Sequence, residues 1–292
     1  MFDIIKKTGL WVSISLVLIA LAIFAMAFNF FVHGSAMNFG IDFTGGTMLN
    51  LRFEKPVSVS DIREAMDKYK LGESVIQKSG DNDFLIRTMP IEELQRTNLI
   101  NDLREKAGSV EILEADIVGP TIGKELSTQA LWALLIASIG IIIYVSIRFE
   151  FKFAVAALLA LYHDAIITTG IMALMWRSID VTFVAAILTI MGYSINDTIV
   201  IFDRIRENLR KPDYAKKKFG ELVNISIWET MARSINTVLT VVVMVLCLLF
   251  LGGETLRVFS MTLLIGFVLG MCSSIFVAPI ILVAWHKWEA KR

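Results

Sequence analysis

Leu10–Val32 reads LWVSISLVLIALAIFAMAFNFFV, and no Asp, Glu, Lys or Arg interrupts it. About 20 mostly apolar residues are enough for a helix to cross the hydrocarbon core of a bilayer. Lys6 and Lys7 precede the run and Gly34-Ser35-Ala36 follows it, as in a cleavable signal. The run outlasts the roughly 7–15 apolar residues of a signal core, so it reads as a membrane anchor. Five further stretches have the same character: Ala130–Ile147, Phe153–Trp176, Val181–Phe202, Ile235–Leu251 and Val258–Trp285. Composition agrees. Of 292 residues, 55% are hydrophobic and 19% charged, against about 25% charge in a soluble domain. That excludes a disordered chain, a collagen-like fibre and an ordinary cytosolic enzyme. The 28 basic and 28 acidic residues cancel, so no global basic field invites nucleic acid. Cys247 and Cys272 sit in apolar runs, and His33, His163 and His286 are far apart. Neither a disulfide framework nor a metal cluster is expected.

Short-loop charge sets the expected orientation. Lys6 and Lys7 precede the first span, Arg148 and Lys152 separate the second from the third, and Lys287, Lys291 and Arg292 close the chain. Between spans four and five lie Arg204, Arg206, Arg210, Lys211, Lys216, Lys217, Lys218 and Arg233, whereas the opposite short loops hold Arg177 and Arg257. The positive-inside rule then puts both termini in the cytoplasm. The chain divides into 1–32 (N-terminus and first span), an outside domain over 33–129, and a five-span bundle over 130–292 with a cytoplasmic loop at 203–234. In the outside domain Thr47–Phe53, Ser74–Lys78, Asp83–Thr88 and Val110–Val118 read as strands. Val59–Tyr69 reads as a helix with Ser60 as N-cap, and a second helix runs from Pro90 to about Lys106, ended by Gly108. The order β-α-β-β-α-β predicts a ferredoxin-like α+β domain, which says little about function.

Several polar residues lie where a bilayer resists them. A charge at mid-bilayer costs at least about 2.5–3.5 kcal/mol on insertion scales. Span three carries His163 and Asp164, the latter one turn before Thr168. Span four carries Thr189, Tyr193 and Asn196 at helical spacing, with Asp197 alongside. Span five opens with Arg233, Asn236, Thr237 and Thr240, one continuous face. Asp197 and Arg233 both belong to the inner half of the membrane on adjacent antiparallel spans, so they can meet. Such a pair is either a fixed tie in the bundle or a titratable carboxylate governed by burial and a movable arginine. His163 and Asp164 are either a helix–helix hydrogen bond or part of a proton path.

Other motifs carry less. Gly119-Pro120-Thr121-Ile122-Gly123-Lys124-Glu125 lacks the spacing and the Ser/Thr of a phosphate loop. The contexts Leu161-Tyr162-His163-Asp164 and Gly192-Tyr193-Ser194-Ile195-Asn196-Asp197 do not match an intramembrane aspartyl protease, so no enzyme is expected. Gly266-xxx-Gly270 suits close helix packing.

Five motifs together resemble one family. They are Phe39–Thr47 (FGIDFTGGT), Val118–Leu126 (VGPTIGKEL), Leu161–Asp164 (LYHD), Gly192–Asn208 (GYSINDTIVIFDRIREN) and Arg233–Thr237 (RSINT). The set is similar to the SecD/SecF family of bacterial protein-export membrane proteins, on its SecF side, in the resistance-nodulation-division superfamily. The resemblance implies a half of six spans that pairs with SecD in the inner membrane. The pair would use the proton-motive force to assist late preprotein translocation through SecYEG with SecA, with YajC as a further possible partner and no cofactor. It implicates Asp197 and Arg233 in proton transport. The polar membrane residues Asn196, Asn236, Thr237, Thr240, His163 and Asp164, picked out above by their place in apolar spans, would support them, while Gly40, Asp42, Gly45, Gly46, Gly119, Pro120 and Gly123 belong to the family motifs. Gly45-Gly46 reads as a hinge or as a structural turn. A scaffold without proton transport, or half of a lipid or drug exporter of the superfamily, is the alternative.

Overall fold

A computed structural model describes residues 2–214, 217–253 and 255–291. Lys216 and Arg292, used in the loop-charge count, lie outside the described residues. The chain separates into two compact units, residues 39–131 and residues 1–38 together with 132–292.

In the unit formed by residues 39–131, the elements follow the β-α-β-β-α-β order read from the sequence. They are β1 (Gly46–Phe53), α2 (Val59–Asp67), β2 (Val75–Lys78), β3 (Asp83–Thr88), α3 (Glu93–Ala107) and β4 (Val110–Val118). The sheet order is β2-β3-β1-β4, with each neighbouring pair antiparallel. Leu49 and Leu51 of the central β1 stand opposite Ile86 and Phe84 of β3. All four join Phe53, Ile62, Met66, Leu99 and Leu103 in one buried core, the favourable apolar burial that offsets the entropy of ordering the chain. Two helix starts differ from the sequence reading. Ser58, not Ser60, caps α2: its hydroxyl accepts from the Asp61 amide while Asp61 reaches back to the Ser58 amide. That reciprocal box needs an acid three residues after the cap, and Ser58–Asp61 supplies the spacing. The second helix begins at Glu93 rather than Pro90, because Glu92 is in extended backbone and serves as the N-cap, while the Ile91 amide donates to Thr47 Oγ1 at 3.2 Å.

The other unit is helical. Among the described residues, six helical stretches are long and apolar enough to cross a membrane. They are α1 (Thr8–His33), α4 (Pro120–Arg148), α5 (Phe151–Leu174), α6 (Val181–Leu209), α7 (Phe219–Leu251) and the composite of α8 (Arg257–Phe276) with α9 (Ala278–Glu289). The last span is broken at Val277 because Pro279 has no amide hydrogen for the ladder and crowds the preceding turn. The connection expected over 203–234 is mostly helix: α6 continues to Leu209 and α7 begins at Phe219. Asn208 ties the two extensions, donating to Ser226 Oγ at 3.0 Å and Glu229 Oε2 at 2.7 Å, while Arg204 Nε donates to Glu229 Oε2 at 2.6 Å. Small residues set the closest approaches. A Cβ on Gly170 of α5 would lie 2.2 Å from Ala22 Cβ of α1, and one on Gly266 of α8 would lie 2.1 Å from Ile190 Cδ1 of α6.

Candidate functional site

Tight contact between α6 and α8 builds the polar centre of the bundle. A Cβ on Gly270 would stand 3.1 Å from Ser194 Cβ, so the backbones come close enough for hydroxyls to bridge them. Thr198 and Ser274 share a hydrogen bond of 2.8 Å across this seam. Asp164 enters from α5 and is 1% exposed. Its Oδ2 accepts from Ser273 Oγ at 2.6 Å and from Ser194 Oγ at 3.0 Å, and its Oδ1 lies 3.0 Å from His163 Nδ1. Three helices thus meet on one carboxylate. Thr168, one turn on, is also buried.

Asp197 lies on α6 one turn beyond Ser194 and is 5% exposed. Ser234 of α7, also buried, stands beside its carboxyl group within reach of a side-chain hydrogen bond. Arg233 is within electrostatic reach of Asp197. Among the described residues the two do not close to the 4 Å of an ion pair. The carboxylate is buried inside the bundle, whereas Arg233 is exposed on the surface of α7.

The remaining polar residues of spans four and five share that exposed surface. Asn196 on α6 and Asn236, Thr237 and Thr240 on α7 are all exposed. Thr237 and Thr240 turn their hydroxyls back to Ser234 O at 2.9 Å and Thr237 O at 2.8 Å, and Tyr193 Oη donates to Thr237 O at 2.7 Å. The two helices are therefore tied side by side and present one polar strip outward. Inside a bilayer such a strip has no water to satisfy it.

The glycine motifs converge elsewhere, within residues 39–131. Gly40 caps a single-turn helix, Ile41–Thr44, whose first turn holds Asp42. Gly45 and Gly46 follow with φ of +70° and +137°, a conformation open to glycine and strained for other residues. A Cβ on Gly45 would lie 2.9 Å from Pro120 Cα, and one on Gly123 would lie 2.9 Å from Gly45 N. The two motifs, some 75 residues apart, thus pack on each other; Gly119 of the second motif has open space around it.

Asp164, Asp197 and Arg233 stand out in the sequence because they are charges in apolar runs. Ser194 and Ser234 lie inside the quoted motifs without being singled out, and Ser273 and Ser274 were not named, because hydroxyls are ordinary in membrane helices. A usable signal was present: Ser273 and Ser274 continue the small-residue stripe of Gly266 and Gly270.

Comparison with known proteins places this arrangement. The family model for the protein export membrane protein SecD/SecF C-terminal region matches residues 98–288, and the SecD/SecF GG motif matches residues 31–57. The chain is similar to the protein translocase subunit SecF of Sebaldella termitidis, at 44% identity over 86% of this chain and 82% of that one. It is also similar to the SecF of Desulfurispirillum indicum, at 41% over 94% and 88%. The crystal structure of SecDF, a translocon-associated membrane protein from Thermus thermophilus, superposes with a TM-score of 0.88 at 36% identity, covering 98% of this chain and 39% of that longer one. Shared fold, both motif regions and identity over nearly its whole length show that this chain, a multi-pass membrane protein, belongs to the SecD/SecF family of protein-export membrane proteins.

Proposed function

We propose that the chain is the SecF half of a proton-driven export unit whose other half is SecD. The observation that carries this reading is the polar strip of Asn196, Arg233, Asn236, Thr237 and Thr240, exposed on two membrane helices beside the buried Asp197. A strip of that kind at bilayer depth calls for a protein cover. SecD is the natural one, because this chain is 40% identical to part of the Bacillus subtilis protein translocase subunit SecDF and spans 35% of that chain. Loop charge supports cytoplasmic termini and an outside location for residues 39–131 in a bacterial inner membrane. Late preprotein export through SecYEG with SecA, and association with YajC, belong to the same reading, with the preprotein met by the outside domain.

Asp197 is the proton carrier in this reading, and Arg233 is its counter-charge. A proton crossing roughly 150 mV releases about 3.5 kcal/mol, more than the few kcal/mol that separate typical conformers of a two-state protein. Protonation removes the attraction between Asp197 and Arg233, which would let α6 and α7 shift around this point while the ties at Tyr193–Thr237 and Asn208–Glu229 keep them paired.

Crosslinking tests the interface. With Cys247 and Cys272 replaced by serine, single cysteines at Asn236 and Thr240 crosslink to SecD in membranes, and one at the buried Val238 does not. Failure of both Asn236 and Thr240 positions to reach SecD would overturn the interface.

A further inference from the structure

His163 precedes Asp164 on α5, with its side chain 10% exposed and its Nδ1 3.0 Å from Asp164 Oδ1. The other carboxylate oxygen takes two hydroxyl donors, Ser194 and Ser273. With Asp164 ionised, the two hydroxyls and the ring all meet it as an acceptor, and the ring proton is then on Nδ1. The lone pair is then on Nε2, which is buried and has no hydrogen-bond partner among the described residues. A carboxylate that fixes the tautomer of an imidazole and leaves Nε2 basic is the arrangement by which histidine takes up and returns a proton.

We propose that His163, oriented by Asp164, is a second proton-binding group of the membrane bundle, distinct from Asp197. In the uptake step the Nε2 lone pair takes a proton from hydronium, leaving water, and the ring becomes imidazolium. The Nδ1–H contact to Asp164 becomes a charge pair. On release the new N–H bond breaks and the proton returns to water. As a step in transport this rests on the proton-driven reading above; as a proton-binding site it does not.

The ionisable groups around His163 leave this dyad largely to itself. On α6, Asp197 lies three residues past Ser194 and Tyr193 just before it. On α8, Cys272 is within electrostatic reach of Asp164. The stretch of α1 from Thr8 to Val32 contains no Asp, Glu, Lys or Arg. Tyr162 of α5 donates to Ser138 of α4 at 3.0 Å, and α4 adds Tyr144. Lys152, paired with Glu150 and 4.0 Å from Glu289 of α9, lies 11 residues before His163, roughly 16 Å along the helix. His286 and Lys287 of α9 lie within a turn of Glu289 in the sequence.

Nitrogen-15 spectroscopy of histidine reads the site directly. The chain carries three histidines, so labelling it alone and reconstituting it with unlabelled SecD gives a simple spectrum, and His163→Gln assigns the signal by subtraction. At high pH His163 is expected neutral with its proton on Nδ1. On acidification the signal is expected to shift to imidazolium. Asp164→Asn, whose amide can donate to the ring, is expected to move the neutral proton to Nε2. A wild-type His163 that stays neutral for as long as the acidified complex remains folded, or holds its neutral proton on Nε2, would overturn the proposal. The wild-type titration stands even where Asp164→Asn fails to assemble. A titrating His163 in a complex without proton flux would uphold the proton site and sink the motor. Flux together with a silent His163 would do the reverse.

Discussion

Arg233 shows what one residue has to do. Lysine carries the same charge, but its ammonium is a compact point charge that sheds a proton when desolvated, whereas guanidinium stays charged and offers a rigid fork. Arg233→Lys is therefore expected to assemble normally with SecD and to lose most proton-dependent export. Arg233→Met is expected to lose export as well while remaining assembled, because it removes a charge rather than burying one. Co-purification with SecD and export into vesicles measure both; full export by Arg233→Lys would contradict a motor role for the guanidinium. Asp164, Asp197 and Arg233 were legible in the sequence because a charge in an apolar run is costly enough to need a reason. That Arg233 faces outward while Asp197 faces inward was not legible. Facing depends on the rotation of α6 against α7, which the Tyr193–Thr237, Asn208–Glu229 and Arg204–Glu229 hydrogen bonds hold. The serines that hold Asp164 were also silent, because a serine's role depends on what crosses it.

At the scale of elements, glycine contacts decide which helices can touch. At Gly170 an added Cβ would strike Ala22 Cβ at 2.2 Å and Cα at 2.5 Å, and the backbone of α1 cannot swing aside as a long side chain could. Gly170→Ala is expected to destabilise the bundle by about 1–3 kcal/mol, read as an earlier thermal unfolding transition in detergent. In the sheet unit Ser58→Ala removes the cap of α2 and is expected to cost about 1 kcal/mol, read in the amide protection of α2. Acid acts there too. The hydrogen bond from Arg52 holds the Asp83 carboxyl below the usual carboxylate range, and the bonds from Ser58 do the same for Asp61. Both contributions are present above the unfolded-state value near about pH 4 and are lost as pH falls through the lower folded values. Protection of β1 and α2 is therefore expected to hold down to about pH 4 and to weaken below it, with Asp83→Asn flattening that acid limb. Strand positions were legible from alternation and turn residues. Helix starts were not, because the choice of Ser58 over Ser60, and of Glu93 over Pro90, rests on where each backbone amide finds its acceptor.

At the scale of the whole molecule, six apolar runs and the skew of Lys and Arg predict the threading of the chain. Cysteines placed at Ser79 and at Lys217 are expected to label from opposite sides with an impermeant thiol reagent, and labelling of both from one side would contradict the topology. The two compact units have their boundaries at residues 38/39 and 131/132. The break of the last span at Val277 interrupts a run that is apolar throughout, and Pro279 is its cause. The central claim is that proton passage through Asp197 drives export, and proton flux tests it most directly. Vesicles holding this chain with its SecD, under an imposed proton gradient, are expected to pass protons with wild-type Asp197 and to lose that flux with Asp197→Asn while both chains remain in the membrane. Undiminished flux through Asp197→Asn, in vesicles where the wild-type pair conducts, would contradict the account.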